Sequence, residues 1–382
     1  MGHIRSMQSC ASDARTAVQE FHAGVAGPDS ELVLFFCSSN YDLDALAAEM
    51  NALFGDLPVV GCTTAGEIGP AGYHAHTLSG VSFPRGACTA VSGRLANLQR
   101  FAVAEGRDFA QTLRCELTSR APQADGHNSF ALLLIDGLSI REEPVGRTLQ
   151  AALRDIALFG GSAGDDLKFV RTRVFHDRAF HEDSAVVVLM STVFPFRLFK
   201  TQHFVSLDER LVVTEADPAR RVVREINGLP AAEEYARLIG VDVGELDPAR
   251  FAASPVVVLI DGADYVRAIR EVLPDGSLAF YCAIEEGLVL RVARGAELVA
   301  NLEQSFERLR AQIGPPQLVL ACDCILRNLE MTQGGIKSAV EAVLRNNRAV
   351  GFSTYGEQYY GVHVNQTLTG VAIGSVPGEA DG

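Results

Sequence analysis

Basic residues and long apolar runs are both scarce in this sequence. The 33 Lys and Arg are outnumbered by 47 Asp and Glu, which gives a formal net charge of -14. DNA, RNA and anionic lipid require a basic protein face, so none of them is an expected partner. The longest apolar stretches, such as 131–135 and 185–190, have the length of a strand and are too short to span a membrane. We therefore expect a cytoplasmic protein that binds neither nucleic acid nor membranes.

Several motifs of enzymes and nucleotide-binding proteins are also missing. The sequence contains no GxxxxGK[ST], and no GxGxxG lies between a strand and a helix, which excludes nucleotide binding by those devices. The stretch GGSAGDD lacks the Gly-x-Ser-x-Gly spacing of a nucleophile elbow. The eight cysteines have no disulfide-framework spacing and indicate reduced, largely buried thiols. A thiol-dependent hydrolase using Cys62 or Cys324 is the less favoured alternative, because an apolar strand raises a thiol pKa. We expect no catalytic residue.

What the sequence does contain is one loop pattern, repeated three times. VVGCTTAGEIGP (59–70), FGGSAGDD (159–166) and VGFSTYGEQ (350–358) each have an apolar lead-in, a glycine, small hydroxylated residues, a second glycine and a carboxylate. Each follows an apolar strand and a helical pattern. The strand and loop are 29 positions apart from Leu32 to Gly61 and from Ala131 to Gly160, and 33 apart from Leu318 to Gly351. The spacing predicts repeated strand–helix–strand units with loops at equivalent positions.

These units predict an α/β fold of two domains with largely buried sheets. The expected limits are an N-terminal extension with a first helix (1–28), a first domain (29–195), a second domain (196–376) and a tail (377–382). We expect the opening ten residues to lie outside the fold. A helix should run from Asp42 or Asp44 to Gly55. A weaker fourth unit is expected in the second domain, with a helix over YVRAIREVL (265–273).

Together the motifs resemble the FIST family, bacterial sensory proteins with an N-terminal and a C-terminal FIST domain. The resemblance rests on VVGCTTAGEI, FGGSAGDD, INGLPAAEEY, CDCILR, VGFSTYGEQ and HVNQTLTGVAIG. It implies a cytosolic small-ligand sensor of signal transduction whose partner is a sensor histidine kinase or another signalling protein. A chain of two FIST domains alone is similar to the nitric-oxide-sensing haem proteins (NosP) of that family, which implies haem b as cofactor. An amino-acid-like ligand bound without haem is the alternative.

The repeated loops supply the candidate ligand-binding residues. For any one loop the structural interpretation is favoured, in which the glycines permit the turn and the hydroxyl groups form hydrogen bonds with the loop backbone. For the three loops together, polar groups at the ends of three strands favour a shared ligand-binding cleft. Arg327 of CDCILR could hold a carboxylate while Glu357 holds an ammonium group. The complete set of expected ligand-binding residues is Thr63, Thr64, Glu67, Ser162, Asp165, Arg327, Ser353, Thr354, Glu357 and Asn365.

Two histidines are candidate haem ligands. His203 lies in FPFRLFKTQHF, an aromatic-rich stretch that could form an apolar wall beside an imidazole. His363 follows the third loop and is the second choice. For either residue the alternative is a histidine with no part in ligand binding. Two residue pairs could each supply at most half of the four ligands of a metal site: His74 with His76, and Cys322 with Cys324. We expect no metal other than haem iron.

Overall fold

Three units of the same element order make up most of the chain in this computed structural model, which describes residues 2–260 and 262–375. Each unit has the order strand, helix, strand, helix, strand, two-strand hairpin, strand. The elements of unit 1 are β1 (Arg5–Ser9), α1 (Ala14–Val25), β2 (Ser30–Ser38), α2 (Leu43–Phe54), β3 (Val59–Thr64), β4 (Glu67–Gly69), β5 (Gly72–His74) and β6 (Leu78–Pro84).

Unit 2 repeats this order directly after β6. Its elements are β7 (Cys88–Ala96), a 3-10 turn (Leu98–Arg100), α3 (Val103–Arg120), β8 (Ser129–Ile135), α4 (Glu142–Leu153), β9 (Ala157–Ser162), β10 (Val174–His176), β11 (Ala179–His181) and β12 (Ser184–Thr192). Its loop between β9 and β10 is longer than the corresponding loop of unit 1 and contains the left-handed residues Asp166, Leu167 and Phe169.

An antiparallel sheet follows the first strand of unit 3, β13 (Phe196–Thr201), as an insertion. Its elements are β14 (Phe204–Asp217), a 3-10 turn (Pro218–Arg220), β15 (Val222–Ile226), β16 (Leu229–Pro230), α5 (Ala231–Ile239), a 3-10 turn (Val243–Glu245), α6 (Pro248–Ala253), β17 (Val256–Ile260), β18 (Ala263–Arg267), β19 (Ile269–Val272), β20 (Leu278–Phe280) and β21 (Val289–Gly295). The predicted fourth unit is therefore wrong. The stretch 265–273 forms strands paired with β17 and β20, so pairing within the inserted sheet prevails over the helix-like spacing of its apolar residues.

Unit 3 resumes after the inserted sheet and completes the same order. Its remaining elements are α7 (Leu298–Ile313), β22 (Pro316–Cys324), α8 (Ile325–Gln333), α9 (Lys337–Asn346), β23 (Ala349–Thr354), β24 (Glu357–Tyr359), β25 (Val362–Val364) and β26 (Leu368–Gly374). Two helices, α8 and α9, stand where units 1 and 2 have one.

Each unit donates its hairpin to the sheet of a different unit. The hairpin β4–β5 of unit 1 pairs with β23 of unit 3, β10–β11 of unit 2 pairs with β3 of unit 1, and β24–β25 of unit 3 pairs with β9 of unit 2. The three six-stranded sheets consequently have matching strand orders. The exchange closes a ring, and no unit has a complete sheet of its own.

The inner faces of the three sheets share one apolar core. Phe36 of unit 1 stacks on Phe352 of unit 3 with ring centroids 4.6 Å apart, and Phe159 of unit 2 belongs to the same cluster. The outer face of each sheet packs against the helices of its own unit. The inserted sheet has a separate core around Leu211. The α/β class and the repeated strand–helix–strand units with buried sheets are confirmed.

The predicted limits of a helix are confirmed where a capping residue and a glycine specify them. Helix α2 begins after Asp42, whose carboxylate accepts hydrogen bonds from the backbone N–H groups of Asp44 and Ala45, and ends at Gly55. The expectation that the opening ten residues lie outside the fold is wrong, because β1 pairs with β6 along its whole length. The predicted tail (377–382) lies outside the described residues. None of the helices described here is long and apolar enough to cross a membrane.

Three equivalent glycines allow the parallel strands of each unit to lie close together. Gly61, Gly160 and Gly351 are paired with Phe35, Leu133 and Ala321, respectively, of the neighbouring parallel strand. A Cβ at any of these glycines would collide with the carbonyl oxygen of that partner. The strand register therefore confirms the predicted equivalence of these glycines, and close backbone approach explains the residue type.

Gly351→Ala should destabilise the protein by about 3 kcal/mol or more, because the collision is with backbone that cannot move without disturbing the sheet. Urea unfolding measures this loss. Gly244→Ala is the matched control, since a Cβ at Gly244 meets nothing within 4 Å. Equal stability of the two variants would contradict the close-approach explanation.

Candidate functional site

The three repeated loops form a closed ring of backbone hydrogen bonds. The equivalent N–H groups of Ala65, Gly164 and Tyr355 donate to the carbonyl oxygens of Ser353, Thr63 and Ser162 at 3.0, 3.0 and 3.2 Å, respectively. Each bond joins one unit to the next. The structure thus brings together the predicted residues Thr63, Ser162 and Ser353, and all three have an exposed fraction of 1% or less.

Glu67 and Glu357 occupy two matching hydrogen-bond networks within this ring. The Glu67 carboxyl is bonded to the hydroxyl of Thr64 and accepts from the Thr77 backbone N–H at 2.9 Å and the Thr77 hydroxyl at 2.8 Å. Thr354 and Thr367 surround Glu357 in the same way. Burial raises the pKa of both glutamates to about 8, against the effect of the threonine hydrogen bonds. A raised pKa favours the protonated carboxyl at pH 7, and the threonine hydrogen bonds already occupy Glu357. Both observations disfavour its expected pairing with a ligand ammonium group, which stays a prediction.

Asp165 of unit 2 orders its own loop. Its carboxylate accepts hydrogen bonds from the backbone N–H groups of Phe169 (2.9 Å), Val170 (2.8 Å) and Arg171 (2.8 Å), and from the hydroxyl of Tyr355. The Phe169 ring stacks on Tyr355 at 4.7 Å. Asp165 thus fixes the long loop of unit 2 against unit 3, and its oxygens are already engaged.

Arg327 is engaged in a buried ionic network. Its Nε donates to Asp323 Oδ1 at 2.8 Å, and its exposed fraction is 1%. Its terminal nitrogen lies 3.3 Å from His203 Nδ1, while His203 Nε2 lies 2.7 Å from Glu330. The expected carboxylate grip by Arg327 is corrected accordingly, because the guanidinium is already paired. Both nitrogens of His203 have partners, so the residues around it do not fit an axial haem ligand.

The three hairpin junctions carry different side chains at equivalent positions. Tyr73, Phe180 and His363 occupy the same register position on the three hairpins. At the unit 2 hairpin, Phe180 packs on Phe35 with ring centroids 6.1 Å apart, which leaves an apolar junction. Tyr73 and His363 make the other two junctions polar. The His363 junction borders a cavity of about 880 Å³, whereas the unit 2 hairpin borders a smaller one of about 340 Å³.

This cavity has a volume of about 880 Å³. That volume lies within the range of small-molecule sites, roughly 300–1,000 Å³. Three parts of the chain form most of its wall: one side of α4, the inserted sheet, and the β24–β25 hairpin, with Val103 of α3 beside them. The polar and charged residues that line it include Arg141, Glu143, Arg147, Arg221, Arg267, Glu285, Tyr360 and His363.

Arg221 connects the inserted sheet to unit 2 at the edge of the cavity. Its guanidinium lies 2.7 Å from Glu142 and also pairs with Glu143, and it donates to the Tyr281 carbonyl at 2.6 Å. Glu143 further accepts from the backbone N–H of Ala283 at 2.6 Å. Burial raises the pKa of Glu142 to about 7, an effect that the positive charge of Arg221 opposes.

His363 is the predicted site residue that lines the cavity. Its Nδ1 lies 2.8 Å from the side-chain amide of Gln358, and its Nε2 has no hydrogen-bond partner among the described residues. Burial lowers the pKa of His363 to about 4, and Arg221 and Arg267 act in the same direction against Glu143. The imidazole is therefore neutral at pH 7. Asn365 is 1% exposed, and neither polar atom of its side-chain amide has a hydrogen-bond partner within residues 2–260 and 262–375.

Residues that line this cavity were largely missed by the sequence reasoning. Glu143, Arg221 and Arg267 belong to none of the repeated loops, and the elements that carry them meet only in the folded chain. A signal was available in the double carboxylate Glu142–Glu143 at a helix start. Cys62 and Cys324 are buried, and burial raises the pKa of each thiol well above its usual value, which disfavours a thiolate nucleophile.

Two family models match the chain. The FIST N domain model matches residues 31–229 and the FIST C domain model matches residues 231–360. Among curated proteins no match was found. A solved structure described as "Cyanuric acid hydrolase: evolutionary innovation by structural concatenation" matches 97% of this chain and 99% of its own, with 9% identity and a TM-score of 0.37.

Arg221→Ala should lower the free energy of unfolding by about 3–5 kcal/mol, because Glu142 and Glu143 lose the charge that balances them in a buried setting. Urea unfolding tests this. The control is Arg224→Ala, whose side chain is 48% exposed and pairs with Glu215 on the surface; it should cost less than about 1 kcal/mol. An equal loss of unfolding free energy in the two variants would show that the ion pairs of Arg221 stabilise the protein no more than a surface ion pair does.

Glu67→Gln should reduce the pH dependence of stability. The folded pKa of Glu67 is about 8 against an ordinary 4.5, so the folded state binds more protons between these values. The free energy of unfolding therefore falls as pH rises from about 4.5 to 8. The variant cannot ionise, and its Tm relative to the parent should be higher by about 2 °C or more at pH 9 than at pH 6.

Thermal melts at both pH values measure this difference. Glu307→Gln on the exposed surface of α7 is the control and should show no pH-dependent change. A constant Tm difference for Glu67→Gln between pH 6 and pH 9 would contradict a raised pKa.

Proposed function

Because the chain belongs to the FIST family, we propose that it is a sensor whose small ligand occupies the cavity between unit 2, the inserted sheet and the β24–β25 hairpin. FIST domains are generally small-ligand-sensing domains of signal transduction. The supporting observation is the composition of the cavity wall, which comes from three parts of the chain that are far apart in sequence. A ligand that contacts all three favours one arrangement of them over others.

The inserted sheet is the element that such a ligand would influence. The chain leaves unit 3 after β13 and returns to it at α7, while Arg221 and Ala283 bond to unit 2. A ligand in the cavity therefore acts at the place where Arg221 and Ala283 join the inserted sheet to unit 2. A ligand shifts a conformational equilibrium by the difference of its affinities for the two states, and a signalling partner could read the position of the sheet. A sensor histidine kinase remains the predicted partner.

Haem-based sensing of nitric oxide is the more specific form of this proposal. Both nitrogens of His203 have partners, whereas His363 lines the cavity and its buried Nε2 has no hydrogen-bond partner among the described residues. If haem b binds, His363 is therefore the better candidate ligand, and an imidazole of that kind can serve as its axial ligand. Absorption spectra after haem addition test this form. A Soret band that His363→Ala removes and His203→Ala retains would support it.

An amino-acid-like ligand bound without haem is the alternative form. Arg267 and Glu285 both line the cavity, and they are alternatives to Arg327 and Glu357 as the groups that could receive a carboxylate and an ammonium, since Glu143 is paired with Arg221. We propose that the protein is not an enzyme. Turnover of model esters that depends on Cys62 or Cys324 would overturn that part of the proposal.

Ala151→Trp should abolish ligand binding, because Ala151 lies on the exposed side of α4 at the cavity wall and an indole there occupies the space. Thermal-shift screening of amino acids, short organic acids and haem identifies a stabilising compound, and titration calorimetry compares the variants. Ala300→Trp is the matched control, since Ala300 is an exposed helical alanine at a different cavity of about 550 Å³. Binding that survives Ala151→Trp would place the ligand elsewhere.

A further inference from the structure

We infer that the ligand of this cavity carries an anionic group, a carboxylate or a phosphate, on an apolar body. The inference rests on the proposed function for the location of the site and adds the chemical class of what binds there.

The first observation is an excess of positively charged side chains around the cavity. Four arginines line the cavity, Arg141, Arg147, Arg221 and Arg267, against two glutamates, Glu143 and Glu285. Arg221 is neutralised by its pairs with Glu142 and Glu143. The other three arginines face one lining carboxylate, Glu285. This local excess of positive charge lies in a chain with a net charge of -14, and a cavity walled by protein strengthens its attraction for an anion.

Hydrogen-bond donors without partners are the second observation. The Nε atoms of Arg141 and Arg267 are buried and have no hydrogen-bond partner among the described residues. One terminal nitrogen of Arg267 donates to the His363 carbonyl at 3.2 Å, which holds the guanidinium at the cavity. A buried guanidinium N–H without an acceptor is costly. An oxyanion of the ligand would supply the missing acceptor through a charge-assisted hydrogen bond.

The start of α4 adds further donors. Arg141 is the N-cap residue of this 12-residue helix, and no side chain caps it. Arg141, Glu143 and Pro144 all line the cavity. The backbone N–H groups of Glu142 and Glu143 have no intrahelical acceptor, whereas Pro144 has no N–H and the Arg141 N–H donates to the Ser139 hydroxyl. The helix dipole favours negative charge at this end, where the two glutamate side chains already supply some. Neutral His363, 2% exposed and with Nε2 lacking a partner, stands on the hairpin wall of the same cavity.

Apolar side chains form the rest of the wall. They are Val103, Ile140, Pro144, Ile260, Ile284, Leu288 and Val362. A hydrocarbon or aromatic part of the ligand could cover this apolar surface, whereas an inorganic ion would leave it uncovered. A volume of about 880 Å³ exceeds what a carboxylate or phosphate group alone requires. An organic acid or an organic phosphate is therefore the fitting class.

Two fluorescent probes with the same rings test this inference. The anionic probe is 8-anilinonaphthalene-1-sulfonate, and N-phenyl-1-naphthylamine is its neutral counterpart without the sulfonate. The full-length protein should bind the anionic probe at one site, more tightly than the neutral one. Arg267→Gln should weaken binding of the anionic probe by about ten-fold or more, the loss expected for a hydrogen bond to a charged group. Binding of the neutral probe should change less than about two-fold.

Controls and competitors distinguish the possible outcomes. Arg308→Gln, at an exposed position of α7, should leave both probes unaffected. Displacement of the anionic probe by 4-methylpentanoate indicates a carboxylate ligand, and displacement by 3-methylbutyl phosphate indicates a phosphate ligand. The inference is overturned if Arg267→Gln weakens neither probe, or if neither acid displaces the anionic probe at millimolar concentration. Probe binding that persists in Ala151→Trp would instead overturn the location of the site and, with it, the proposed function.

Discussion

The exchange of hairpins between units is the interaction on which the rest of the structure depends. A strand edge that is left unpaired offers N–H and C=O groups to any other chain. Here β3, β9 and β23 each receive the hairpin of a different unit. Every unit therefore needs the hairpin of one other unit for a complete sheet and gives its own hairpin to the third, and the three inner faces are brought around one shared core. The ring of backbone hydrogen bonds among the loops is a direct consequence.

A ring of three equivalent units allows one position to be compared in three settings. The register position held by Tyr73, Phe180 and His363 shows how far the junctions have diverged. Phe180 fills its junction, and the Glu67 carboxyl is satisfied by Thr77 within the junction of Tyr73. The Glu357 carboxyl, on the same hairpin as His363, is satisfied in the same way by Thr367. His363 differs from Phe180 and Tyr73 because it lines the cavity of about 880 Å³.

The parts of the fold that could be predicted are those that short stretches of sequence specify. Asp42 and Gly55 mark the ends of α2 because capping acts within one turn, and the glycine spacing reflects one close contact repeated three times. The exchange of hairpins between units could not be predicted from the sequence, because the residues that pair, such as Phe352 and Glu67, are far apart in the chain. The loop carboxylates resembled ligand groups because their saturation by Thr77 and Thr367 becomes visible only in the folded protein. The helix predicted at 265–273 is wrong because strand pairing with distant residues prevails over the helical spacing of its apolar side chains.

The position of the inserted sheet explains why a site can exist at one junction. Residues 204–295 interrupt unit 3 between its first strand and first helix, and Arg221 within them reaches the start of α4 in unit 2. The sheet therefore covers the junction where the unit 3 hairpin meets unit 2, and the space beneath it becomes a walled cavity. The ring alone supplies rigidity, because every sheet is shared between units. A movable response to a ligand must come from an element outside the ring, and the inserted sheet is such an element. Besides its two chain connections, it is held by polar bonds at Glu142 and Glu143, by the Arg267–His363 and Gln366–Ala252 hydrogen bonds, and by the apolar contact around Phe204 and Tyr355. A ligand in the cavity acts on the bonds at Glu143 and His363 and leaves the apolar contact in place.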